Sequence, residues 1–438
     1  MDFVTTHITF VISILIFLVT LGLIIIEVIP PVVSAMGGGI LMIIVKVMTE
    51  EEAFKAIDLG TVFLLIGMMI IVHITSETGV FQWIAIKMGK IGKGEPFVIM
   101  ALLIIATAIL SAFLDNVTTV LLIAPVSIMI AEQLEISPVP FLISEAMASN
   151  IGGTATLIGD PPNILIGNSA NLSFNSFIVN STPIVIINIL VFVITMWFIF
   201  GRKMKVSRDL KARIIGLDST KVITDMKLLK KCLIVLLFVI IGFFTNRLMG
   251  ISPAVIAITG GITILLVSGH KPAEILKHME WDTIFFFIGL FMLVQGVVEV
   301  GAIKMLADAA LTITNGNLQI TSMLILWMSG ILSSFVNNVP YAVTIIPMIK
   351  EMIPQIQAIN PALTETVISN ALWWPLVLGA CLGGNGTLVG ASANVICAGM
   401  GNKSGYKISF MEFTKYGIII MFESMIICTF YIWIRYLM

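Results

Sequence analysis

Charge is what this 438-residue chain has least of: Asp, Glu, Lys and Arg together make up 11% of it, where a soluble domain carries about 25%. Lys and Arg number 24 against 25 Asp and Glu, a net charge of −1. There is thus neither the basic excess of a nucleic-acid binder nor an acidic tail. The four cysteines, Cys232, Cys381, Cys397 and Cys428, are scattered and form no CxxC pair, which argues against a disulfide framework or a zinc site. The four histidines, His7, His73, His270 and His278, make no HExxH. No Walker A loop and no GxSxG is present either, so the chain has no motif for ATP hydrolysis or for a membrane-embedded hydrolase, and no cofactor is expected. The N-terminus, MDFVTTHITF, lacks a basic n-region and is expected to open a first span, not a removable signal.

What the chain has instead is apolar residues, 58% of the total, with a mean hydropathy of +1.08. Its length suits about ten spans of about 20 residues with short loops. The expectation is an all-α polytopic membrane protein surrounded by lipid. The apolar runs form two sets, within 1–200 and 232–438, separated by a polar segment, 201–231. That segment carries Arg202, Lys203, Lys205, Arg208, Lys211, Arg213, Lys221, Lys227, Lys230 and Lys231. So dense a basic loop marks the cytoplasmic side.

The two sets are copies of one another. A shift of 222 positions carries Pro31 onto Pro253, Gly38–Gly39 onto Gly260–Gly261, Thr61 onto Thr283, Gly67 onto Gly289 and Asn116 onto Asn338. A shift of 231 carries GGTATLIG (152–159) onto GGNGTLVG (383–390) and Asn163 onto Asn394. Chance similarity between apolar helices would match Leu, Ile and Val, not Gly, Pro and Asn. Each half reads as an odd number of crossings, so the second half is expected upside down relative to the first, an inverted-topology repeat. Threading the chain this way with 201–231 inside leaves only Lys46, Lys55, Arg247, Lys304, Lys350 and Arg435 of the 24 basic residues outside. Both termini are then outside. Segments 82–92 and 302–312, short and charged, are expected to be interfacial helices.

Backbone breaks at membrane depth are tolerated only where they line a cavity or are buried in protein, and two per half are expected here. One pair is FLDNVTTVLLIAPV (113–126) with FVNNVPYAVTIIPM (335–348), bringing Asp115, Asn116, Thr118, Thr119, Asn337 and Asn338 to polar tips. The other is GGTATLIGDPPN (152–163) with GGNGTLVGASAN (383–394). It brings Gly152, Gly153, Thr154, Asp160 and Asn163 opposite Gly384, Asn385, Thr387 and Asn394. Gly-Gly permits an unwound backbone and Pro161–Pro162 removes two donors. Asn, Thr and freed carbonyls suit Na⁺, and helix N-termini suit an anion. Asp115 aligns with Asn337 and Asp160 with Ala391, so these intramembrane carboxylates belong to the first half and mark an ion or proton path. Asp115 is the first candidate, with Asn116 and Thr118 as a Na⁺ donor set. His73 and Glu77, four residues apart, offer a weaker proton relay.

At these residues the chain resembles the P-protein branch of the arsenite-pump/sodium–proton-antiporter permeases, within the ion transporter superfamily. LDNVTTVLLIAPV, GGTATLIGDPPNILIG, NNVP and GGNGTLVGASANVICAG carry the resemblance, which runs from about Pro31 to the C-terminus. It implies ten spans plus two re-entrant hairpins, a scaffold and a mobile region, and a homodimer working by an elevator-like movement. The expected function is ion-coupled secondary transport of a small inorganic or organic ion across the plasma membrane. Na⁺/H⁺ antiport or cation-coupled carriage of a small anion leads, with arsenite or anion efflux and a channel as rivals.

Overall fold

The computed structural model describes residues 3–216, 218 and 222–438; Lys221 of the basic linker lies outside the described residues. Among the described residues there are helices and loops and no strand. The first half comprises α1 (Phe3–Ile26), α2 (Pro31–Ile44), α3 (Glu50–Lys55), α4 (Leu59–Ser76), α5 (Val80–Ile91), α6 (Pro96–Ser111), α7 (Asn116–Gln133), α8 (Val139–Gly153), α9 (Pro161–Ser169), α10 (Phe174–Asn180) and α11 (Thr182–Ile199). A short helix, α12 (Arg208–Ile215), lies in the basic segment. The second half comprises α13 (Met226–Met249), α14 (Pro253–Ser268), α15 (Pro272–Lys277), α16 (Trp281–Glu299), α17 (Ala302–Thr314), α18 (Leu318–Val336), α19 (Asn338–Ile359), α20 (Glu365–Gly383), α21 (Ser392–Lys403) and α22 (Phe410–Ile432).

Nine helices among the described residues are long and apolar enough to cross a membrane. The protein is therefore an all-α polytopic membrane protein. The helices α2, α6 and α14 are apolar but only 14–16 residues long, about 21–24 Å at 1.5 Å per residue. The basic segment ends earlier than its composition suggests: Asp225 caps α13, accepting from the N–H groups of Lys227 and Leu228. Lys227, Lys230 and Lys231 consequently ride on the first turns of that helix.

Equivalent helices of the two halves make equivalent contacts. Helix α4 packs on α14, and α2 on α16, so this part of the fold is built by exchange between halves. A Cβ on Gly67 would overlap the Ala257 backbone, and one on its repeat mate Gly289 would overlap Ala35–Met36. A second body pairs α6 with α8 and α18 with α20, and joins the halves through α9 on α19 and α21 on α7 and α8. There Gly152 meets the Ala108 carbonyl and Gly383 the Gly330 carbonyl so closely that neither site has room for a side chain. The helices do break after both Gly-Gly pairs, but none of the four glycines has a positive φ. The breaks fall where expected, and the glycines have a second use: another backbone passes close against them.

Candidate functional site

Four helix N-termini meet inside the second body. Asp115 caps α7, its carboxylate accepting from Thr118 N (2.8 Å) and Thr118 Oγ1 (2.5 Å). Its repeat mate Asn337, at φ +74°, caps α19 by accepting from Val339 N at 3.2 Å. A short polar side chain satisfies an orphan N–H in both places. The next residue of each hairpin, Asn116 and Asn338, turns inward and is almost fully buried.

Both asparagines converge on Asp160, which is wholly inaccessible to solvent. Asn116 Nδ2 donates to Asp160 Oδ1 at 3.1 Å, and Asn338 Nδ2 lies 3.2 Å from each carboxylate oxygen. Asp160 stands before the Pro161–Pro162 start of α9 and makes no cap bond, so its carboxylate faces this centre. The mate of Asp160, Ala391, is equally buried and brings no charge.

The crossing chain segments around the centre are held by a bond pattern that repeats with the duplication. Asn163 Nδ2 donates to the Gly153 and Thr156 carbonyls at 3.0 and 2.8 Å; Asn394 Nδ2 donates to the Gly384 and Thr387 carbonyls at 2.8 and 2.9 Å. Ser111 Oγ donates to Ser149 O and Ser333 Oγ to Ala380 O. Thr156 and Thr387 close onto the Ala112 and Ser334 carbonyls. Asn150 is the hub of the arrangement: it accepts from Asn116 at 3.2 Å and donates to Asn385 Oδ1 and Asn394 Oδ1, both at 2.9 Å. Its repeat mate is Cys381, whose thiol donates to Asn163 Oδ1 at 3.2 Å.

Of the expected site residues, Asn116, Asp160, Asn338, Asn385 and Asn394 form one connected network. Asn163 and Thr387 brace the crossing chain segments. Thr154 and Thr119 bond back to the carbonyls of Asn150 and Asp115. Gly152, Gly153 and Gly384 serve close approach. Asp115 and Thr118 hold each other, while Asn116 points to Asp160.

A cavity of about 380 Å³ opens onto this network. Among the described residues five carboxylates line it, Glu27, Asp115, Asp160, Glu280 and Asp282, and no Lys, Arg or His does. Glu280 and Asp282 stand beside the N-terminus of α16, where the chain reads as an ordinary loop-to-helix junction. The sole sequence signal for Glu280 is its alignment with Asp58. Asn150 was equally hidden, since its mate is a cysteine; only the polar file Ser144, Glu145, Ser149, Asn150 in an apolar run hints at it.

On the other side lies a second cavity, about 440 Å³, lined by repeat mates of the first such as Asp58 for Glu280 and Val343 for Leu121. None of its lining residues belongs to the Asn–Asp network. Here Asn168 of α9 donates to Asp58 Oδ2 (3.1 Å) and Thr61 Oγ1 (2.9 Å), tying the two bodies together. The mate of Asn168 is Gly399, and among the described residues the Glu280 carboxylate accepts from Thr283 Oγ1 at 3.2 Å.

The weaker His73–Glu77 pair lies apart from both cavities. Glu77 Oε2 is 3.0 Å from His270 Nε2 and Oε1 is 3.5 Å from His73 Nε2, with the His278 ring stacked on His73 at 5.1 Å. Three of the four histidines thus gather at the joint of α4 with the α14–α15 loop.

Residues 21–369 match the family described as citrate transporter. The chain is 40% identical to an uncharacterized transporter of Mycobacterium tuberculosis over 92% of its own length and 93% of the relative's. It is 39% identical to the 46 kDa membrane protein of Mycobacterium leprae, covering 98% and 99%. With the Homo sapiens P protein it shares 33% identity over 92% of this chain and 57% of that longer one.

Proposed function

Because this chain belongs to the citrate transporter family, we propose that it is an ion-coupled secondary transporter in which Asp160 binds the coupling cation, Na⁺ or H⁺. One observation carries the reading: a solvent-inaccessible carboxylate, met by one asparagine from each half, at the end of a cavity lined by acids and by no base. A carboxylate inside a membrane protein is costly unless it is protonated or meets a cation, and the protein brings no cation to Asp160. Asn116 and Asn338 orient it, one from each half of the repeat. Asp115, Glu280 and Asp282 extend this acidic lining with oxygen donors suited to a cation. The N-termini of α7, α19 and α21 bring N–H groups toward the same centre, so a small anion can travel with the cation.

The body of α6–α9 and α18–α21 carries this site against the exchanged helices α2, α4, α14 and α16, in an elevator-like movement within a homodimer. The protein works in the plasma membrane, with 201–231 cytoplasmic and both termini outside. In that threading the cavity at Glu280 faces the cytoplasm and the blocked one faces outward, as an inverted repeat caught on one side of its cycle would.

The test is transport by purified protein in liposomes under imposed Na⁺, H⁺ and small-anion gradients. Wild type should show saturable flux coupled to one of the cation gradients. Asp160→Asn should abolish that coupling. Unchanged ion dependence in a well-folded Asp160→Asn protein would remove Asp160 from the coupling site, and non-saturating flux would indicate a channel.

A further inference from the structure

Helix α8 carries a carboxyl that the proposed ion site does not use. Glu145 is 1% exposed, and its Oε1 shares a hydrogen bond with Ser127 Oγ of α7. Its other oxygen, Oε2, is buried with no hydrogen-bond partner. The elements packed on α8 are α6, α7, α11, α20 and α21. Of these, α6 and α11 contain no titratable residue. Helix α7 offers Glu132 in its last turn, and α20 offers Glu365 in its first turn and Cys381 beside Asn163. Helix α21 offers Cys397, next to Glu145, and Lys403, exposed in its last turn. Among the described residues of these elements no cation therefore reaches Glu145, and one hydroxyl is too little to hold an ion in so apolar a place. A carboxylic acid fits: Ser127 Oγ also lies 3.4 Å from the Ile123 carbonyl, so a serine donating there accepts the acid's O–H.

The position gives this acid a use. Glu145 lies six residues from the start of α8, about 9 Å along the helix, between the exposed Glu135 of the preceding loop and Asn150. Ser149, one turn further on, donates to the Asn116 carbonyl at 2.9 Å, and Asn116 donates to Asp160. The equivalent position in the second half is Leu376, buried in the same packing, so nothing in the architecture requires a carboxyl here.

We propose that Glu145 is a second proton-binding site of this transporter, taking up and releasing one proton per chain in addition to the ion at Asp160. The proposal rests on the transport reading only for its use; the binding itself is measured without transport. Purified full-length protein is titrated from acid to alkaline pH while infrared difference spectra follow the carboxylic-acid C=O bands. Wild type should lose a band on alkalinisation that is absent from Glu145→Gln and still present in Asp160→Asn. Glu145→Leu, which copies the second half, keeps the fold and should lack the same band. A pH-stat should count one proton fewer released by each Glu145 variant than by wild type. The proposal is overturned if the Glu145 variants lose no band, or if the band that they lose does not change with pH in wild type, which would make Glu145 a permanently neutral packing group. An unaltered ion dependence in Asp160→Asn would overturn the coupling reading alone and leave the Glu145 band untouched.

Discussion

Two aspartates at helix breaks have different partners, and geometry separates them. Asp115 spends both oxygens on Thr118, while Asp160 makes no cap and meets the two inward asparagines. Since Asn is as good an N-cap as Asp, and Asn337 already fills the equivalent position, Asp115→Asn should leave the thermal midpoint of the detergent-solubilised protein nearly unchanged. Asp115→Ala, which strips the cap from α7, should cost about 1 kcal/mol and lower it measurably. Both should keep cation-coupled flux, in contrast to Asp160→Asn. If Asp115→Asn alone abolished coupling, the cation would bind at the hairpin tip and not at the centre. The polar residues that repeat, Asn116 with Asn338 and Asn163 with Asn394, were legible because apolar helices have no other reason to keep them in register. Asn150 was not, since its importance lies in reaching across to Asn385 and Asn394, residues more than 230 positions away.

At the scale of the helices, small residues decide how closely backbones cross. Gly383→Val would drive a branched side chain into the Gly330 backbone, and Gly152→Val into Ala108. Overpacking of this kind costs typically 1–3 kcal/mol, and here the obstacle is main chain, which cannot rotate away. Each variant should lose monodispersity or at least several degrees of thermal midpoint. Gly399→Ala, with nothing within 4 Å of its Cβ position, should be neutral in the same assay. Helix α9 also carries a contact between the two bodies that we propose acts as a latch. Asn168 ties it to Asp58 and Thr61 on the side whose cavity stops short of the ion site; the mirror position is Gly399 and the mirror cavity is open. Asn168→Gly should therefore shift the protein toward the opposite-facing state. A cysteine placed at Gln295, in the blocked cavity, should react faster with a membrane-impermeant maleimide in that variant, and one at Asp282 slower. Equal rates in the two backgrounds would show that this bond does not set the balance.

For the whole molecule, the proposed inverted repeat makes a labelling prediction: the α6–α7 and α18–α19 hairpins should open to opposite sides of the membrane. In a background lacking Cys232, Cys381, Cys397 and Cys428, a cysteine at Glu135 should label only from the cytoplasm. One at Gln357, its repeat mate, should label only from outside. Labelling of both from one side would mean that the halves are inserted in parallel, and the argument for two pseudo-symmetric access routes would fail with it.

The sequence by itself determined the helical class, the repeat and the four breaks, because hydropathy, Pro-Pro and recurring Asn and Gly act locally and leave their marks in the order of residues. It also placed Asp160 and its neighbours at a break. Tertiary structure decided the rest. Whether an aspartate caps its own helix or faces another chain segment depends on rotamers and on what lies opposite. Glycines at the unwound breaks also admit a crossing backbone. Glu280, Asp282 and Glu145 read as a helix junction and an isolated polar residue until packing puts the first two on the ion cavity and buries the third without a counter-ion. Each of these depends on contacts between residues far apart in the chain, and only the folded backbone brings them within reach.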